Sequence, residues 1–121
     1  MTNSSKAQHR PLSATDWHVL VALSDNDLHG YAIMKAVEED SRGVVSAEIG
    51  SLYRILGRMM SEGIVADAPA PTDAPSQTPG RPRRYYKLTP HGREVLSRES
   101  ARLMDAASIA RNRNLVPGSS Q

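Results

Sequence analysis

The sequence predicts a mainly helical α+β fold: three helices, a two-stranded hairpin and a long last helix. Three observations carry this. Apolar residues recur at three- and four-residue intervals from Ile49 to Met60, the stripe of an amphipathic helix. Ile64 to Ala66 and Arg84 to Leu88 read as paired strands, with Tyr86 and Leu88 alternating against Tyr85 and Lys87. Thr89 followed by Pro90 is the chemistry of a helix start.

Residues 1–11 are polar, without periodicity, and read as a flexible arm. Ser13, with Asp16 three residues on, caps the first helix. Trp17, Leu20 and Val21 on one side and Val19 with Leu23 on another predict a helix buried on two faces. Asp25 to Gly30 reads as a turn. The second helix follows from about His29 to Asp40, with Tyr31, Ile33, Met34 and Val37 inward. Ser46 is expected to cap the third helix, whose inward stripe is Ile49, Leu52, Tyr53, Leu56, Met59 and Met60. The hairpin loop, about residues 67–82, holds Pro69, Pro71, Pro75, Pro79 and Pro82 and is expected to be extended or disordered rather than packed. The last helix runs over residues 90–113, and residues 114–121 are expected to be a disordered tail.

At 121 residues the chain is one domain by length. The absence of cysteine excludes disulfides, thiol nucleophiles and thiolate metal sites. No apolar run approaches the roughly 18 residues of a membrane span, and the first ten residues lack a signal-peptide core, so a cytoplasmic location without membrane contact is expected. The net charge of +2 hides an asymmetry, with nine basic against six acidic residues after position 60. Arginine supplies 12 of the 15 basic side chains, and its planar fork suits phosphates and guanine edges.

Three helices and then a hairpin is the order of a winged helix-turn-helix, whose third helix enters the major groove while the hairpin lies along the backbone. Opposite the apolar stripe, Ala47, Ser51, Arg54 and Arg58 cluster at 100° per residue, flanked by Gly50 and Gly57. Arg54 and Arg58 are candidates for base edges or phosphates, and Ser51 for a phosphate near the helix start. Ser46 and Tyr53 complete the expected recognition-helix set, and Arg81, Arg83 and Arg84 form the expected wing contacts. The expected partner is double-stranded DNA. The competing reading of the same fold is a protein-interaction module that never touches DNA, for which apolar or mixed-charge residues would be expected on that face.

Four fragments then resemble, in order, the signatures of PadR-type transcriptional regulators. They are His29-Gly30-Tyr31-Ala32-Ile33; Gly50-Ser51-Leu52-Tyr53 with Leu56, Arg58 and Met59; Glu62-Gly63-Ile64-Val65; and Arg83-Arg84-Tyr85-Tyr86-Lys87-Leu88-Thr89 with Gly92. The resemblance implies a dimeric repressor whose C-terminal helix dimerises, in the short subgroup with a single such helix. It also implies a response to small aromatic or hydrophobic compounds held between subunits. Trp17 is the only indole that could line such a pocket, and a plain core role competes with that reading. Arg54 stands where the family often has proline, and the wing loop is longer than usual.

The last helix supports a partner independently. Leu96, Ser100, Leu103, Ala106, Ala107 and Ala110 form a narrow stripe of mostly small residues, suited to close packing against a second helix. Asp25 to Gly30 imitates the start of a calcium loop, but Ala36 stands where the bidentate glutamate is required. No histidine pair has ligand spacing, and no phosphate-cradling glycine loop or nucleophile elbow occurs. Neither catalysis nor a cofactor nor a metal is expected.

Overall fold

The structure, a computed structural model, describes residues 11–72 and 83–118. Its elements are α1 (Ala14–Asp25), β1 (Leu28–His29), α2 (Gly30–Asp40), α3 (Ile49–Ser61), β2 (Val65–Ala68), β3 (Tyr85–Leu88) and α4 (Pro90–Asn112). The arrangement is a winged helix-turn-helix.

Ser13 and Asp16 cap α1 reciprocally: the serine oxygen accepts from the Asp16 N–H at 3.0 Å, and the carboxylate accepts from the Ser13 N–H. The helix buries Val19, Leu20 and Leu23. They meet Ile33 and Val37 of α2, Leu52, Leu56 and Met59 of α3, and Tyr86 of β3 in one core. Each such aliphatic side chain contributes about 1.5–3 kcal/mol through burial.

Three inward assignments fail. Tyr31 is 66%, Tyr53 50% and Ile49 40% exposed, because the apolar stripes of α2 and α3 are narrower than the periodicity suggested. The third helix also begins later than expected. Ser46 does not cap it; Glu48 occupies the cap position and makes no side-chain bond there. The reason lies upstream: the Ser41 hydroxyl accepts from the Val45 N–H at 2.9 Å and donates to the Val45 carbonyl at 3.0 Å, which holds this segment outside the helix.

β1 pairs with β3, Leu28 opposite Tyr86 and His29 opposite Tyr85, so the sheet has three strands in the order β1-β3-β2 where a hairpin was expected. On the other side of β3, Val65 pairs with Leu88 and Ala68 with Tyr85, so β2 runs two residues further into the expected wing loop. The rest of that loop, including Arg81, lies largely outside the described residues, as do residues 1–10 of the arm.

Gly63, at φ +78°, turns the chain from α3 into β2 in a left-handed conformation that glycine adopts without strain. Beyond the sheet, Thr89 caps α4 by accepting from the Gly92 N–H at 2.9 Å, and its hydroxyl donates to the Gly63 carbonyl at 2.7 Å. This seats the first turn of α4 on the α3–β2 junction. At its far end α4 is closed where a disordered tail was expected, since the Asn114 and Leu115 N–H groups bond back to Arg111 and Ala110 carbonyls. Among the described residues no helix is long and apolar enough to cross a membrane.

Candidate nucleic-acid interface

The structure divides the recognition set expected of α3. Ser46, Ala47, Ser51 and Arg58 line a cleft of about 950 Å³ that runs along α3 to Glu62, between the first turns of α1 and α4. Gly50, Tyr53 and Arg54, with Gly57, are exposed on the outer face of the helix. The outward face is therefore rotated toward Tyr53 relative to the face read from the sequence.

Arg58 shows why. Its Nη2 donates to Asp16 Oδ1 at 2.9 Å, pairing it with a carboxylate whose side chain is only 9% exposed. The same carboxylate serves the α1 capping box. Arg58 thus ties the start of α1 to α3, with its side chain 34% exposed, and does not lie beside Arg54 on the outer face. Arg54 is exposed and meets only the Ser51 hydroxyl, at 3.4 Å, so its guanidinium retains free donors among the described contacts.

Tyr53 connects this face to the rest of the site. A Cβ built on Gly30 would lie 3.1 Å from the Tyr53 hydroxyl, so the ring covers the start of α2, and glycine there leaves it room. Arg83 and Arg84, two of the wing arginines, lie just before β3. Arg84 donates from Nε to Asp67 Oδ1 at 2.7 Å and from Nη2 to Oδ2 at 3.2 Å, a two-point grip across the β2–β3 ladder. Its guanidinium also lies over the Tyr86 ring, 5.3 Å from the centroid. The hydrogen bond from Arg84 holds the Asp67 carboxyl below the usual carboxylate range, while burial pushes the Tyr86 hydroxyl up. Arg83 is exposed and turns toward His29.

Arg84 therefore already has an intramolecular anion. Asp67→Asn is expected to release it: affinity for a random duplex rises a few-fold, and the salt dependence steepens by about one counterion. Fluorescence anisotropy across a salt series measures this. A loss of affinity instead would mean that the Asp67-held position of Arg84 is the one that binds.

The residues expected for a partner helix also divide. Leu96 is buried in the core, and Ser100 accepts a hydrogen bond from the Trp17 indole at 2.9 Å, so both serve the contact of α1 with α4 within one chain. Leu96 is thereby taken up by the core, while Ser100 remains half-buried. Leu103 and Ala107 are exposed and Ala110 half-exposed. Met104 and Ile109, which the small-residue stripe missed, are 72% and 53% exposed beside them. Trp17 does not line the cleft beside α3 and acts as the link from α1 to α4.

With this geometry established, comparison with known proteins is informative. Residues 19–98 match the family described as the transcriptional regulator PadR-like family. The chain belongs to that family. The PadR-like proteins are transcriptional regulators rather than enzymes. The chain is 42% identical over 82 residues to an uncharacterized 37.1 kDa protein in transposon TN4556 of Streptomyces fradiae, covering 68% of this chain but only 21% of that protein. It is 30% identical over 95 residues to transcriptional regulator Rv3488 of Mycobacterium tuberculosis, covering 78% of this chain and 80% of that one. Among solved structures, a PadR family transcription regulator from Clostridium difficile superposes with a TM-score of 0.66 at 23% identity, over 83% of this chain and 97% of the other. Bacillus subtilis PadR in complex with operator DNA superposes with a TM-score of 0.58 at 22% identity, over 70% of this chain and 46% of that one. The PadR-like chain described here shares with both the winged-helix fold.

Proposed function

We propose that this PadR-like protein is a cytoplasmic, homodimeric repressor that binds a pseudo-palindromic operator. Each protomer inserts α3 into the major groove, with Tyr53 and Arg54 toward the bases, and lays the wing, with Arg83, Arg84 and Arg81, along the backbone. The observation that carries this reading is the exposed outer face of α3, where Arg54 stands next to Tyr53, whose ring covers Gly30 at the start of α2, together with the exposed Arg83 and Arg84 just before β3. Bacillus subtilis PadR, a neighbour of the same fold, is in complex with operator DNA.

Dimerisation is assigned to the outer half of α4. Among the described residues every side chain from Ala101 to Ala107 is exposed, Leu103 at 40% and Met104 at 72%. A helix carrying Leu103, Met104, Ala107 and Ile109 in that state gains most from a second copy of itself. Two-fold symmetry then sets two α3 helices about 34 Å apart, one turn of DNA. The Trp17 N–H is committed to Ser100, so the indole offers a ligand no polar handle, and no effector forms part of the proposal.

The deciding experiment is a gel shift of the purified protein on the DNA immediately upstream of its own coding region, at two salt concentrations with random duplex as competitor. A discrete, competitor-resistant complex containing two chains per duplex is expected. A shift abolished by random DNA would replace the repressor with a non-specific binder. No shift at low salt would favour a winged-helix protein-interaction module.

A further inference from the structure

His29 stands where β1 passes into α2, and two donors converge on its ring. Its Nδ1 accepts from the Ala32 N–H at 3.2 Å, capping α2. Its Nε2 lies 2.8 Å from Arg83 Nη1. A neutral imidazole has one lone pair and one N–H, and a guanidinium never accepts. In either tautomer, one end of the ring therefore points an N–H at another N–H. Protonating the ring removes the remaining lone pair and leaves both ends in that state. Burial and the Arg83 charge both depress the His29 pKa, which keeps the ring neutral.

The geometry decides which end is satisfied. The Ala32 N–H is a fixed backbone donor in the first turn of α2, one of the groups a helix cannot bond internally. Arg83 is an exposed side chain at the end of the wing. The lone pair therefore faces Ala32, and the Nε2 proton faces the guanidinium. The ring is held edge-on to Tyr85, 5.4 Å between centroids, so it does not turn away. The neighbouring carboxylate, Asp67, grips Arg84 instead. Two N–H groups from different elements thus meet 2.8 Å apart at the surface, and a small turn of the exposed Arg83 side chain lets both donate to one shared acceptor.

We propose that His29 and Arg83 together clamp one phosphate oxygen of the DNA backbone. The inference rests on the DNA-binding reading above and adds to it a residue outside both α3 and the wing. Tyr53 covers Gly30, the residue next to His29, so the clamp sits beside the groove-facing side chains and fixes where α3 enters the groove. The charge comes from Arg83; His29 contributes a directed, uncharged donor whose orientation is fixed by its own role as a cap.

Phosphate contacts are independent of sequence, so a random 30-base-pair duplex at low salt is a sufficient probe. His29→Asn retains an oxygen to cap the Ala32 N–H and removes the distal donor. The expected result is an unchanged melting temperature with affinity reduced about tenfold, the size of a lost hydrogen bond to a charged group. Arg83→Gln is expected to lower the salt slope by about one. In that background His29→Asn costs much less than it does alone, because the two donors share one oxygen. Equal affinity of His29→Asn and the parent protein would overturn the clamp while leaving the DNA-binding reading intact. A fall in melting temperature that accounts for the lost affinity would reduce His29 to a cap and overturn it too. Imidazole nitrogen shifts showing the proton on Nδ1 would do the same without any binding measurement. A parent protein that binds no duplex at low salt would remove both the clamp and the reading beneath it.

Discussion

Gly92→Ala is expected to unfold much of the protein at temperatures where the parent chain is intact. A Cβ at position 92 would lie 2.0 Å from the Ile64 carbonyl oxygen and 2.9 Å from its carbon. The obstacle is backbone, at the point where α3 has ended and β2 begins, and no side-chain rotation relieves it. That backbone is also fixed from the other side, since the Ile64 carbonyl accepts from the Thr89 N–H and the Gly63 carbonyl from the Thr89 hydroxyl. Either α4 lifts away or these bonds break. Replacing a helical glycine by alanine ordinarily gains up to about 1 kcal/mol. Here overpacking outweighs that gain, for a net cost of about 3 kcal/mol and a melting temperature lower by roughly 10–20 °C in a domain of this size. Thermal unfolding followed by circular dichroism measures it. A variant as stable as the parent would mean that α4 does not sit on the α3–β2 junction as described.

The second large effect separates two arginines four residues apart on one helix. Arg54→Ala is expected to leave stability within about 0.5 kcal/mol, because the side chain is exposed and alanine suits a helix at least as well. Its cost falls on operator binding, about 1–3 kcal/mol if the guanidinium reads a base edge. Arg58→Ala behaves in the opposite way. It strands the Asp16 carboxylate, buried under the start of α1, and costs about 1–3 kcal/mol of stability; the partial exposure of Arg58 keeps this below the cost of breaking a fully buried pair. Its effect on DNA binding follows from the loosened α1–α3 contact and is equal for operator and random duplex. Chemical denaturation alongside competition binding distinguishes the two. Loss of operator preference on Arg58→Ala, with stability unchanged, would restore Arg58 to the recognition face and displace Tyr53 from it.

These variants also mark how far the sequence could be read. Local chemistry was legible wherever a residue acts on its near neighbours. Ser13 and Asp16 close their capping box, Thr89 and Pro90 start α4, and the alternation of Tyr86 and Leu88 against Tyr85 and Lys87 gives β3 its buried and outward faces. The stripe of Leu52, Leu56 and Met59 placed α3 in the core for the same reason, since a period of 3.6 is written into three or four successive turns. Element order alone was enough to predict the winged helix-turn-helix.

Contacts between distant segments were not legible. β1 is two residues long and carries no periodic signal; it is a strand only because β3, more than fifty positions away, lies beside it. The rotation of the exposed face of α3 was hidden for a similar reason. Arg54 and Arg58 look equivalent on a helical wheel, and only the arrival of Asp16 from α1 turns one of them inward. Leu96 and Ser100 belong to the same stripe as Leu103 and Ala107, yet the docking of α1 buries Leu96 and engages the half-buried Ser100 through Trp17, and leaves the second pair exposed. The sequence by itself therefore determined which elements form and in what order, through capping and periodicity that act over a few residues. The tertiary structure decided which side chains remain available to a partner, because that depends on which charges and apolar surfaces folding has already paired.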